Sequence, residues 1–229
     1  MALLIDLAII ATIAFCSWRG YKNGLIRGAF GVVALIASLY IANISAKAYS
    51  GEFTDVLRPF VSGVVESTFA ELAEENLDFE GIDRKSDAQK RLLSYDALRR
   101  IGLPSVSALH LAENTVIDEE DETRYSDVLA EKLCTTLTFV AVFGIGFILL
   151  SIVFAIVGNL IGFIFTLPGF KLLDSAAGVL LGFVRGLLIT FALATIVRYF
   201  GLLAPETLEG TRVLGYFVNN NLIANMLGV

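Results

Sequence analysis

One uncharged stretch restricts the possible folds of this chain more than any other feature. Residues 133–170 contain no Asp, Glu, Lys or Arg, and most of them are apolar. A helix needs about 20 apolar residues to cross a bilayer core of about 30 Å. The first 45 residues are similar, with only four charged side chains among them. The sequence therefore predicts an integral membrane protein in contact with the lipid bilayer.

The acidic residues are concentrated in the middle of the chain. Residues 47–132 hold 19 Asp/Glu and 10 Lys/Arg, whereas the remaining residues hold 4 and 7. The chain as a whole is 56% hydrophobic, with a mean hydropathy of +0.74. This pattern predicts an acidic extramembrane insertion, whose charge makes nucleic acid an unsuitable partner. The predicted regions are membrane hairpin one at 1–46, the acidic and mainly helical insertion at 47–132, membrane hairpin two at 133–200 with a long third helix, and an amphipathic tail at 201–229.

The two apolar regions share a pattern of glycines and one arginine. Residues 158 positions apart correspond, and the pairs are Gly20 and Gly178, Gly24 and Gly182, Arg27 and Arg185, and Gly28 and Gly186. Gly31 extends the first copy. Small residues at this spacing lie on one helical face and let membrane helices pack closely. We therefore predict an all-α, polytopic membrane protein with four transmembrane helices, arranged as two glycine-rich hairpin repeats with a helical soluble insertion.

The third apolar segment allows two interpretations. The other predicted spans are residues 2–18, 25–46 and 176–197. Residues 133–170 are too long for one upright span and too short for two spans with a turn. They form either one long tilted helix or a helix broken near Gly158 and Asn159. The single helix is preferred because Pro168 and Gly169 give the stronger turn signal. Asn159 is then interpreted as a packing hydrogen-bond residue.

Four charged residues in or beside the spans are candidate functional charges: Asp6, Arg27, Asp174 and Arg185. Asp6 is interpreted as a carboxylate that reaches the interface or caps nearby donors, and the alternative is a partner for an intramembrane Arg. If the repeat holds, Arg27 and Arg185 lie within a turn or two of the interface and snorkel. If the last helix begins at Asp174, Arg185 lies deep, which indicates a functional site.

Helix signals recur within the insertion. Thr54 is a candidate cap for a first helix, and Ser86 with Gln89 resembles a capping box for a second. Gly102 is expected to end that second helix, and Ser105 to start a third.

No catalytic, cofactor or metal site is predicted. The acidic run at 118–122 lacks the alternating ligands and the central Gly of an EF-hand. Cys16 and Cys134 lie in apolar stretches and are interpreted as small buried hydrophobic residues. The single histidine, His110, has no nucleophile motif around it. We therefore expect that the chain is not an enzyme.

Orientation follows from the basic residues near the short turns. Arg19, Lys22 and Arg27 lie at the first turn and Lys171 at the second, so both turns are expected to face the cytoplasm. The N-terminus, the insertion and the C-terminus are then outside. The tail is expected to lie on the membrane or against the central region. Its weak apolar face consists of Leu214, Phe217, Val218 and Leu222.

Three stretches of this chain resemble the colicin V production protein (CvpA) family of bacterial inner-membrane proteins. They are Ile5-Asp6-Leu7, the run from Trp18 to Arg27, and Leu173-Asp174 followed by Gly178, Gly182, Arg185 and Gly186. The resemblance covers both hairpins and implies a multi-pass protein of the bacterial cytoplasmic membrane. It also implies a link to colicin V production or export and to envelope homeostasis, with no catalytic residue and no established substrate.

Two functions remain open at this point. The favoured one is a scaffold or accessory protein for toxin production, export or envelope homeostasis, in which the glycine faces join hairpins or the subunits of a homo-oligomer. The alternative is a small-solute or anion channel or transporter, because transporters are often built from repeats with a site between them. Arg27 and Arg185 would then face a polar cavity. The acidic insertion is the expected surface for a protein partner.

Overall fold

We describe the protein from a computed structural model, which defines residues 2–75, 82–115, 124–161, 171–200, 203, 207–208 and 210–227. Over these ranges the chain is helical, with connecting turns and no strand. The helices are α1 (Ala2–Glu75), α2 (Asp87–Ile101), α3 (Ser105–Glu113), α4 (Tyr125–Ile161), α5 (Lys171–Phe200), α6 (Val213–Asn219) and α7 (Leu222–Leu227), with a short 3-10 helix at Ile82–Arg84. By length and composition, α1, α4 and α5 are able to cross a membrane.

Helix α1 consists of two arms that meet at Gly24. The backbone of Gly24 has φ 73° and ψ −176°, a conformation that is nearly restricted to glycine. We call residues 2–23 the first arm and residues 25–75 the second arm. Both arms are helical on either side of this single residue.

The two arms pack against α5 in opposite directions. In the first arm, Gly20 lies against Gly178 and Ile13 lies against Gly186, so the residue numbers run in opposite senses. In the second arm the numbers rise together, and the pairs are Gly28 with Leu181 and Gly31 with Arg185. The chain therefore reverses direction at Gly24, and the two arms lie side by side along α5.

The second arm and α4 form a long antiparallel pair. From one end to the other, the contacting residues are Phe30 and Gly158, Ala42 and Gly146, Thr54 and Cys134, Arg58 and Glu131, and Glu66 and Arg124. These contacts extend along the second arm from residue 30 to residue 66, which corresponds to about 54 Å of helix. A bilayer core is only about 30 Å thick, so the pair is longer than a single membrane span requires.

The end of the pair that lies away from Gly24 carries the helices of the insertion. α2 and α3 pack onto it through a hydrophobic core that includes Val65, Leu98, Leu111 and Leu129, all 1% exposed or less. Asp83 accepts a hydrogen bond from the backbone N–H of Tyr125 at 2.7 Å and so caps the start of α4. The insertion therefore folds against α1 and α4 as a continuation of the same bundle.

The prediction that Thr54 starts a new helix is wrong. The second arm passes through Thr54 without a break, and the Thr54 hydroxyl donates to the carbonyl of Ser50 one turn earlier. Because α4 runs alongside this region, packing continues across the predicted boundary. The other signals are confirmed: Gln89 Oε1 accepts from the N–H and the hydroxyl of Ser86, and Gly102, with φ 108°, ends α2.

The third apolar segment follows the preferred interpretation. Helix α4 continues through Gly158 and Asn159 to residue 161. The predicted turn at Pro168 and Gly169 lies outside the described residues.

The tail folds back onto the bundle. Leu214, Phe217 and Val218 of α6 are buried against Ala194 and the apolar face of the first arm. Leu222, which was expected on the same face, is instead 67% exposed because it begins the separate helix α7. The tail therefore covers the outer side of α5 next to the first arm.

Candidate functional site

Two adjoining cavities lie where both arms of α1 meet α4 and α5. Their volumes are about 60 and 220 Å³. Five residues line both cavities, and they are Arg19, Asn23, Arg27, Ala155 and Arg185. Among the described residues, no Asp or Glu lines either cavity. The site is therefore a cationic, polar space between largely apolar helices.

The reversal at Gly24 brings the polar residues of α1 together. Arg19 and Asn23 are four residues apart and share a face of the first arm. Arg27 lies in the first turn of the second arm, which folds back beside them. Arg19 is exposed, whereas Asn23 and Arg27 are partly buried. The turn thus forms one wall of the site from three polar side chains.

Arg185 closes the site from α5. Its Nη1 atom lies over Gly31, where a Cβ atom would be only 3.1 Å away. Gly31 is seven residues beyond the turn at Gly24, which corresponds to about 10 Å of helix. The guanidinium group of Arg185 therefore lies inside the bundle, and the absence of a side chain at Gly31 makes room for it.

The two candidate carboxylates lie elsewhere and cap helices. Asp174 Oδ1 accepts a hydrogen bond from the backbone N–H of Leu25 at 2.7 Å. Asp6 accepts three, from the N–H groups of Arg212, Val213 and Leu214 at 2.9 to 3.1 Å. The first N–H groups of a helix lack partners within the helix, and the helix dipole favours negative charge there. The structure thus brings Arg27 and Arg185 together and places Asp6 and Asp174 at helix starts.

The candidate glycines mediate close packing within the chain. A Cβ atom added at Gly20 or Gly178 would collide with the backbone of the other residue. Gly182 lies in the same way against the backbone of Cys16, and Gly186 against Ile13. The contacts of Gly28 and Gly31 are instead with the side chains of Leu181 and Arg185, and Gly24 forms the turn beside Asp174. The glycine face of α5 is therefore occupied by the first arm.

A second polar cluster was missed by the sequence analysis. Arg198 is 3% exposed, and its Nε atom donates to the Ser107 hydroxyl at 3.1 Å, while that hydroxyl donates to the Arg198 carbonyl at 3.0 Å. The guanidinium group also lies 5.3 Å from the ring centroid of Tyr199. This cluster joins α3 to the end of α5. Its residues are 91 positions apart, so no local pattern indicates the contact.

Comparison with known proteins identifies one matching family. Residues 123–222 match the family described as colicin V production protein. No curated protein and no solved structure matches the chain. The resemblance seen in the sequence is therefore confirmed for the region that contains Asp174, Arg185 and the glycines of α5.

Proposed function

Because residues 123–222 match the colicin V production protein family, we propose that this chain is a multi-pass protein of the bacterial cytoplasmic membrane that binds an anion and moves it across the membrane. Through this activity it supports toxin production, toxin export or envelope homeostasis. The observation that carries the proposal is the convergence of Arg19, Arg27 and Arg185 on cavities with no acidic residue among their described lining residues.

Three positively charged side chains share this site. Three guanidinium groups close together repel one another, and a bound anion offsets that repulsion. The planar fork of an arginine matches carboxylate and phosphate oxygens. Asn23 adds an amide that can donate further hydrogen bonds. The larger cavity, at about 220 Å³, has room for a small anion with several waters.

The proposed topology follows from the reversal at Gly24. Each arm of α1 crosses the membrane, and α4 and α5 supply two further spans, so the two hairpins interlock through their glycines. The turn at Gly24 and the start of α5 face the cytoplasm. The arginine cavities then open near the cytoplasmic end, and the N-terminus, the insertion and the C-terminus lie outside.

Flux measurements on proteoliposomes test the proposal directly. We would load vesicles with chloride, inorganic phosphate or a short carboxylate and compare the wild-type protein with Arg185→Ala. Arg185→Lys keeps the charge without the fork and is expected to retain intermediate flux. Arg91→Ala, at an exposed position on α2, removes the same charge away from the cavities and serves as the matched control. We expect at least a tenfold loss for Arg185→Ala and none for Arg91→Ala.

An absence of flux for every anion, with correctly folded protein, would remove the transport proposal. A wild-type flux retained by Arg185→Ala would place the path elsewhere in the chain. Circular dichroism and size-exclusion chromatography of each variant establish that the protein remains folded.

A scaffold or accessory role is the second candidate. It is favoured by the acidic insertion, which extends beyond the bilayer and exposes Glu71, Glu74 and Glu75 at the end of α1. A basic protein surface is the complementary partner. The homo-oligomer stays a prediction, and because the α5 glycines already pack within the chain, it would need another surface. Toxin export that is lost on neutralising these glutamates but retained by Arg185→Ala would favour this role.

A further inference from the structure

The larger cavity is amphipathic, because arginines and apolar residues both line it. The apolar lining residues are Phe15, Ala155, Leu181 and Ile189. A small anion interacts with the arginines and Asn23 but gains nothing from the apolar part of the lining. A cavity lined by both arginines and apolar side chains matches a ligand that has an anionic head and an apolar chain.

The cavity also borders the surface that faces lipid. Phe15 is 54% exposed and Ala155 is exposed as well, and both line the cavity from helices that are able to span a membrane. An exposed residue on such a helix contacts acyl chains in a bilayer. The cavity therefore shares Phe15 and Ala155 with the surface that lipid would contact.

The neighbouring turn has the composition of a membrane interface. Trp18 and Tyr21 are each 55% exposed, and Lys22 Nζ lies 4.0 Å from the ring centroid of Trp18. Aromatic residues and snorkelling lysines are enriched at headgroup level. These residues indicate that the turn, with Arg19 and Asn23 beside it, lies near the phosphates of the bilayer.

From these three observations we propose that the arginine cavity binds the phosphate of an anionic lipid, with the head against Arg19, Arg27 and Arg185 and one acyl chain along Phe15 and Leu181. This inference rests on the anion recognition in the proposed function, but it does not require flux. Free phosphate offers the same oxygens to the arginines, so the test has to separate the two sources. The apolar wall is the part of the site that only a lipid uses.

The experiment measures ligand retention by native mass spectrometry and by thermal shift on the full-length protein in detergent. The probes are phosphatidylglycerol, phosphatidylcholine as the zwitterionic control, and inorganic phosphate. We expect selective retention of phosphatidylglycerol and at least a tenfold weaker retention in Arg185→Ala, with Arg91→Ala unchanged. Arg185→Lys is a second variant that preserves the charge without the guanidinium fork, so we expect intermediate retention of phosphatidylglycerol.

Substitution of the apolar wall distinguishes lipid from free phosphate. Phe15→Ser leaves the arginines in place and removes an exposed apolar contact, so we expect severalfold weaker phosphatidylglycerol retention with phosphate binding unchanged.

Equal retention of phosphatidylglycerol and phosphatidylcholine would overturn the inference, and so would binding of inorganic phosphate alone. In the latter case the proposed anion function would still stand. Selective lipid retention without any small-anion flux would support the inference and remove the transport proposal.

Discussion

The carboxylate of Asp174 accepts a hydrogen bond from the backbone N–H of Leu25 at 2.7 Å. Leu25 is the first residue after Gly24, so its N–H has no partner within the helix that it begins. A carboxylate at this point also interacts favourably with the helix dipole. α5 therefore fixes the start of the second arm, and through it the position of Arg27 relative to Arg185.

Removal of this cap is expected to destabilise the protein. Asp174→Ala leaves the Leu25 N–H without its acceptor, and loss of a helix cap costs about 0.5–2 kcal/mol. Asp174→Asn retains an oxygen acceptor and is expected to cost less. Chemical unfolding in detergent gives the comparison, with Asp96→Ala at an exposed position on α2 as the control. Equal stability of Asp174→Ala and Asp96→Ala would show that the cap contributes nothing.

The close contact at Gly20 predicts that alanine destabilises the protein at this position, whereas alanine at a glycine without such a contact stabilises it. A Cβ atom at Gly20 would collide with the Gly178 carbonyl and lie 2.9 Å from the Gly182 Cα atom, so Gly20→Ala forces the helices apart. Overpacking of this kind typically costs about 1–3 kcal/mol. Gly63, also in α1, has no atom within 4 Å of an added Cβ. Gly63→Ala is therefore expected to stabilise by up to about 1 kcal/mol through helix propensity.

Melting temperatures of the two glycine variants, measured side by side, decide this prediction. If both variants lower the melting temperature by a similar amount, the close approach of the first arm to α5 does not depend on Gly20. Gly51→Ala, another α1 position with no atom within 4 Å of an added Cβ, repeats the control.

Some of this fold could be predicted from the sequence because it depends on local patterns. The uncharged stretch predicted a long membrane helix, and α4 is long and apolar enough to span. Ser86 and Gly102 predicted the two ends of α2, since caps depend on neighbouring residues. The helix start predicted at Thr54 is wrong, because a threonine that could cap a helix also fits inside one when its hydroxyl donates to a carbonyl of the preceding turn.

The candidate site depended more on long-range contacts. Arg27 and Arg185 stood out as paired residues of the predicted repeat, whereas Arg19 was assigned only to the first turn. The sequence shows that Arg19 and Asn23 are four residues apart. It does not show the reversal at Gly24, which brings both residues next to Arg185 and so forms the cavities. The contact of Arg198 with Ser107 had no local signal at all, because it joins the insertion to the end of α5.

The Asp6 cap predicts how the tail is held. Asp6 accepts from three consecutive N–H groups at the start of α6. Asp6→Ala removes all three acceptor contacts, so we expect faster hydrogen exchange of the amides of Arg212, Val213 and Leu214. Exchange followed by mass spectrometry measures this, with peptides from α4 as the internal reference. Unchanged protection of α6 would show that its apolar packing alone holds the tail in place.

The environment of His110 predicts a loss of stability in mild acid. Burial lowers the pKa of His110 below its ordinary value of 6.5, and the nearby Arg198 and Lys132 act in the same direction, whereas Glu113 opposes them. Its Nδ1 atom is buried and has no hydrogen-bond partner among the described residues. The unfolded chain therefore takes up a proton at a higher pH than the folded protein does. Stability is expected to be fully present above about pH 6.5 and to fall as the pH drops from there toward the lowered pKa.

Unfolding at pH 7.5 and pH 5.5 measures this effect in the wild type and in His110→Gln. The variant lacks the titrating group. The difference in the free energy of unfolding between pH 7.5 and pH 5.5 should therefore be smaller than in the wild type. Glu113→Gln removes a neighbouring group that favours the protonated form of His110, so it should widen the difference in the free energy of unfolding between the two pH values. The same pH dependence in all three proteins would assign the acid sensitivity to the carboxylates of the insertion, because protonation of those groups is unaffected by the change at His110.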